Sequence, residues 1–102
     1  MVLKIIHAVV PEGARDLFVE RQRIWTAAML REPGFEAVDV ALDPTSDRHV
    51  TVVIRVASRA DLDRFMAGPH DGLLEATRMR AVFERLDVHV LDVVDHTVRS
   101  AD

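Results

Sequence analysis

A chain of 102 residues, 49% hydrophobic and 29% charged, is one globular domain with a modest core that hides roughly 60–70% of its unfolded surface. A net charge of −4 and the lack of any basic run exclude a nucleic acid as the expected partner, and the absence of cysteine excludes disulfides, thiolate nucleophiles and thiolate metal sites together. The N-terminal apolar run is broken by Lys4 and His7 and is too short for a signal peptide or a membrane span, so a cytoplasmic protein is expected.

Residues 2–10 are β-branched and apolar and predict a first strand, stopped by Pro11 and Gly13. Residues 14–31 predict a long helix. Ala14, Leu17, Phe18, Ile24, Trp25, Ala28 and Met29 recur on one face at a period of 3.6, and Pro33-Gly34 ends it. Residues 35–42 predict a second strand, 43–47 a loop of turn formers, and 49–56 a third strand. Ser58 and Asp61 resemble a capping box opening a helix with Leu62, Phe65 and Met66 on one face. The stretch from Gly68 to Gly72 reads as a turn, after which Asp71 caps a second helical piece bearing Leu73, Leu74 and Thr77. Residues 86–94 predict the last strand. The expected domain is 1–95, and 96–102 is a polar tail. The order β-α-β-β-α-β predicts an α+β, ferredoxin-like fold with a four-stranded antiparallel sheet and both helices on one face.

Alternation divides each strand between two faces. Lys4, Ile6, Ala8 and Val10 join Val38, Val40, Leu42, Val50, Val52, Ile54, Val56, Leu86, Val88 and Val90 beneath the helices. The other face is mixed. It carries Ile5, Val9, Val53, Leu91 and Val93 beside His7, His49, Thr51, Arg55, Asp87 and His89. A ferredoxin-like order, with the first strand between the third and fourth, makes His7, Arg55 and His89 neighbours there. They read as dimer-interface polar groups or as a second candidate site. The three histidines permit a metal reading, but no ligand motif such as H-x-x-x-H supports one, and no metal is expected.

The chain has no Asn, no Tyr and a single Gln and Trp. A polar site must therefore use His, Asp, Glu, Arg, Lys, Ser, Thr, Gln22, Trp25 or the backbone. His70 is the leading candidate, because histidine gains and loses its proton nearest neutral pH, and Asp71 stands beside it. The bland alternative is a half-exposed histidine at a helix start. Trp25 is either core or a wall for a planar ligand. Phe65, Met66 and Ile6 are core or pocket lining. The four glycines are scattered and form no phosphate-cradling motif, so no flavin is expected.

The element order, Trp25 in the first helix, Gly34-Phe35 opening the second strand and the run FMAGPHDGLLEA after the third resemble the antibiotic-biosynthesis-monooxygenase-like (ABM) proteins. The resemblance covers nearly the whole domain and is strongest to a branch described as a domain of unknown function. It implies a homodimer packed sheet on sheet as an α+β barrel, with a pocket in each subunit between sheet and helices. Members include cofactor-independent quinone-forming monooxygenases, haem-degrading monooxygenases, and cyclases, isomerases or lyases of aromatic and polyketide metabolism. The haem-degrading set of Asn, Trp and His falls on Ile6, Phe65 and Glu75, where none matches, so no haem is expected. The quinone-forming members use Asn and Tyr, which this chain lacks.

The resemblance therefore implies a cofactor-free enzyme acting on a hydrophobic aromatic or polyketide-like substrate by oxygenation, or by cyclisation or isomerisation driven by proton transfer. His70 would be the acid or base, and Trp25, Phe65, Met66, Asp71 and Ile6 would bind substrate. The alternative is a non-enzymatic dimeric ligand-binding or stress-response domain. A pocket filled by Trp25, Phe65 and Met66 favours that alternative, and an open cavity lined by His70 favours the enzyme.

Overall fold

Four β-branched runs form the sheet, and the segments between its first two and last two strands form the helical layer. The computed structural model describes residues 1–100. Its elements are β1 (Val2–Val9), α1 (Arg15–Met29), β2 (Phe35–Leu42), β3 (His49–Val56), α2 (Arg59–Ala67), α3 (Pro69–Thr77), a short 3-10 turn at Met79–Val82, and β4 (Arg85–Asp92). The sheet is antiparallel with the order β2-β3-β1-β4. Residues 101 and 102 of the expected tail lie outside the described residues.

The two faces of β1 and β3 divide as alternation predicts. Val2, Ala8, Val10, Val50, Val52, Ile54 and Val56 are buried under the helices, and His7 is exposed on the other face. In register, Ala8 opposes Val50 and Ile6 opposes Val52, so the two central strands supply the floor of the core. The edge strands depart from expectation. Leu42, Leu86 and Val88 are 45%, 37% and 48% exposed. Their side chains have the helix-facing phase, but β2 and β4 flank the sheet, and the helical layer is centred on β1 and β3.

On α1 the buried stripe is narrower than the one read from the sequence. Phe18, Gln22, Trp25 and Met29 are buried, whereas Leu17 and Ile24 are exposed. The spacing of four, three and four is one helical face, and Gln22 occupies a place on it that an apolar residue would normally hold.

Ser58 caps α2 as expected. Its Oγ accepts from the Asp61 backbone N–H at 3.2 Å and donates to Asp61 Oδ2 at 2.7 Å. The expected turn at 68–72 is shorter than read. Gly68 alone separates α2 from α3, and the helix resumes at Pro69. Proline suits the first helical position because its φ is preset and no donor is lost there. Gly72 is therefore inside α3, and Asp71 lies in the first turn without capping by its side chain.

Candidate active site under the helices

A cavity of about 70 Å³ lies between the sheet and the helices. Lys4 and Ile6 rise into its wall from β1, Gln22 and Trp25 come from α1, Phe65 from α2, His70 and Leu74 from α3, and Leu86 from β4. Ile6, His70, Leu74, Phe83 and Leu86 are the lining residues that retain exposure, and all but Ile6 lie between α3 and β4, where the cavity opens. An engineered apolar cavity of about 150 Å³ accepts benzene. A planar ring thus enters this cavity only with its edge at the opening or with a rim side chain displaced.

Three rings set the geometry of the opening. His70 stands edge-on to Trp25, with centroids 5.3 Å apart at 66°, and to Phe65 at 6.1 Å and 85°. Trp25 and Phe65 are themselves 6.4 Å apart at 64°. Edge-to-face contacts of this kind are favoured by the ring quadrupoles. The indole is fixed further, since Trp25 Nε1 donates to Thr77 Oγ1 at 2.9 Å and Thr77 Oγ1 donates to the Leu73 carbonyl at 2.6 Å. Trp25 thereby ties α1 to the end of α3, the helix that carries His70.

His70 keeps 22% of its side-chain surface exposed, and its Nδ1 lies 3.0 Å from Asp71 Oδ1. With the carboxylate accepting from Nδ1–H, Nε2 is the nitrogen left to take a proton. Asp71 is itself 90% exposed and does not line the cavity, so it orients His70 from outside.

Lys4 is the residue that the sequence reading left unassigned to any site. It is 9% exposed, and its Nζ donates to Met66 Sδ at 3.2 Å. A thioether is a weak acceptor. Burial pushes the Lys4 ammonium below its ordinary value of 10.5. Gln22 is 4% exposed, and its Nε2 has no hydrogen-bond partner among the described residues. The signal for both was in the pattern: each is a polar residue on an inward-facing position of an otherwise apolar series.

The expected binding residues are distributed unevenly. Ile6, Trp25, Phe65 and His70 line the cavity together. Met66 is 38% exposed and stands outside the lining, touching Lys4 through its sulfur. On the open sheet face His7 and His89 do meet, with ring centroids 6.4 Å apart. Arg55 does not join them. It opposes Leu3, whereas His7 opposes Thr51 and is hydrogen-bonded to it at 2.9 Å, so the two stand four positions apart along the sheet. Arg55 instead reaches Met1 Sδ and His96 Nδ1. Among the described residues no group of three or more His, Asp or Glu is placed to hold a metal ion, and no helix is long and apolar enough to cross a membrane.

The fold is that of the ABM-type proteins. SnoaB from Streptomyces nogalater, a cofactor-independent oxygenase, superposes with a TM-score of 0.81 at 21% identity, covering 93% of this chain and 94% of that one. Rv0793 from Mycobacterium tuberculosis gives 0.80 at 20% identity, covering 95% and 98%. An antibiotic biosynthesis monooxygenase gives 0.76 at 23% identity, covering 93% and 100%. No curated protein sequence matches the chain. At these identities the superpositions establish architecture. The family model that matches spans residues 2–91, nearly every element just described, and the chain belongs to that family, the domain of unknown function DUF4937.

Proposed function

We propose that the protein is a small-molecule enzyme of ABM type that binds a hydrophobic, aromatic or polyketide-like substrate under its helices, with His70 as acid or base. The observation that carries this reading is a cavity lined by His70 and walled by Trp25 and Phe65, left open where a plain core would be filled. The resemblance in fold to a cofactor-independent oxygenase supports it. Trp25 and Phe65 align a planar ring, and His70 Nε2 takes a proton from a phenol or from a carbon beside a carbonyl. In the oxygenase form, the phenolate gives its electrons to dioxygen. One oxygen atom enters the ring as a carbonyl and the other leaves as water. The two hydrogens of that water come from the substrate's own O–H and C–H, so phenol plus dioxygen balances quinone plus water. In the cyclase or isomerase form, the same deprotonation yields an enolate that attacks or reprotonates elsewhere. The working unit is a cytoplasmic homodimer joined through the open sheet face.

Naphthol under air tests the first form, followed by oxygen uptake and quinone absorbance. Tetralone in deuterated buffer tests the second, followed by exchange of the proton beside its carbonyl. Either activity should fall by ~10²–10⁴-fold in His70→Ala, the usual contribution of a positioned acid or base. The enzyme reading is lost if wild type shows neither activity and the His70 ring protons stay unshifted in NMR while an aromatic ligand binds. The ligand-binding module then replaces it.

A further inference from the structure

We propose that the cavity is built for an anionic planar ligand, an ionised phenol, enol or aromatic acid, whose oxygen is received by Lys4. This rests on the small-molecule reading of the cavity given above and specifies the charge of what enters it.

Three observations converge. Lys4 lies on β1, between Ile54 and Val90 in register, at the centre of the floor and not at its edge. Among the described residues it makes no ion pair, and its single hydrogen bond goes to the Met66 thioether. Among the described residues no Asp or Glu lines the cavity, and His70 is the other titratable side chain in its wall. A buried cationic head beside an apolar cavity without a counter-charge is costly, and the interaction with an arriving anion is strong because little water screens it. The lysine stem has four rotatable carbons, so the thioether contact is readily exchanged for a charge-assisted N–H···O bond. The lowered proton affinity of Lys4 follows from the same burial.

Gln22 points to a ligand independently of Lys4. Its side-chain amide is buried in the wall of the same cavity with Nε2 unpartnered. A buried amide donor normally has a partner. A ligand bearing a second oxygen, as a carbonyl beside an enol does, would supply it. The competing account is a snorkelling lysine, whose stem covers the core while its head seeks water past Met66. In that account Lys4 is indifferent to the charge of an occupant.

Paired probes of equal ring size separate the accounts. Para-nitrophenolate carries the anion, and nitrobenzene is its neutral counterpart. Wild type should bind the phenolate more tightly, and the ring should ionise at a lower pH when bound than in water, read from its visible absorbance. Lys4→Met should lose about 10–100-fold in phenolate affinity, the worth of one hydrogen bond to a charge, with nitrobenzene binding unchanged. Lys4→Gln, which keeps a donor without the charge, should lose most of the same affinity, and serves if the Met variant does not fold. Phenolate binding equal in wild type and both variants, with nitrobenzene still bound, overturns the role of Lys4 while the cavity reading stands. A bound phenol ionising at its ordinary pH in wild type also overturns it. Neither probe binding to wild type removes the cavity reading itself, and the proposal with it.

Discussion

At the scale of single residues, Lys4 and Trp25 pull stability in opposite directions. Among the described residues the Lys4 ammonium holds its charge in the core with a thioether as its only hydrogen-bond partner, so Lys4→Met, similar in length and apolar, is expected to stabilise the fold by about 1–3 kcal/mol, read by chemical denaturation. The gain should depend on pH. The folded state holds the Lys4 proton less tightly than the unfolded chain, whose lysine titrates near its ordinary 10.5. Below the depressed folded value both states are protonated, and wild type carries the full penalty. As pH rises from that value toward the unfolded one, the unfolded chain retains more protons, so wild-type stability climbs. The gap to Lys4→Met should therefore narrow in alkali. A gap that widened would mean that Lys4 is better solvated folded than unfolded. Trp25 is 8% exposed and hydrogen-bonded to Thr77, so Trp25→Ala should cost ~3–5 kcal/mol. His70→Ala, in a first helical turn and partly exposed, should cost no more than about 1 kcal/mol. A loss at His70 as large as that at Trp25 would mark the histidine as packing and weaken its catalytic reading. His70 and Trp25 stood out in the sequence as chemistry-bearing side chains. Lys4 did not, because its phase placed it beneath the helices with Ile6 and Ala8, and phase alone does not tell a buried ammonium from one whose stem carries it out to water.

At the scale of elements, strand phase was legible wherever a strand has neighbours on both sides. On β3 every second residue is buried, and on β1 the same holds except at Ile6, which is half-buried, so the period-two pattern translates directly into faces. On β4 the same pattern, Leu86-x-Val88-x-Val90, predicted burial that the edge position delivers only in part, at Val90. Alternation reports which way a side chain points, and position in the sheet decides whether anything covers it. The break near Gly68 was legible in kind but not in length, because proline and two glycines in five residues mark a turn equally well as a one-residue kink. Gly34 shows how such punctuation is used. Its φ is +84°, it ends the connection from α1, and its carbonyl accepts from the Ala57 N–H at 2.7 Å. A Cβ there would collide with the Asp61 side chain, the group that partners Ser58 at the start of α2. Gly13 has a similar φ of +79°, but a Cβ would meet nothing. Gly13→Ala should thus cost only the left-handed backbone penalty of about 1–2 kcal/mol. Gly34→Ala should cost distinctly more and should lower the helical signal of α2. Equal losses in the two variants would show that the contact between Gly34 and Asp61 couples nothing.

At the scale of the whole molecule, the sheet has one covered face and one open face. Leu3, Ile5, Val9 and Val53 are half-buried on the open face, and Leu91 is 48% exposed. Contiguous apolar patches on monomers rarely exceed ~300–600 Å². The sheet edges are poor places for a partner. The outer strand β4 carries Arg85, Asp87, His89 and Asp92, with Arg85 and Asp87 paired at 2.8 Å and the Asp87 carboxyl held below its usual range chiefly by that hydrogen bond. Charge along an edge discourages strand addition. Face-to-face packing is therefore the arrangement that hides the apolar surface and leaves the charged edge of β4 in water. Light scattering at micromolar concentration should give twice the 11.5 kDa chain mass. Val53 opposes Ile5 in register and lies on a central strand, so a charge there cannot reach the rim of the contact. Val53→Lys should yield a folded monomer, with the far-UV spectrum of wild type and about half its mass, because an unpaired ammonium would be desolvated on both sides of a two-fold interface. A wild-type monomer would remove the dimer. A Val53→Lys protein that remained dimeric would move the contact off the open face and onto the exposed flank of β4 around Leu86 and Val88. That flank borders the mouth of the cavity, and a partner seated there would shape what enters it.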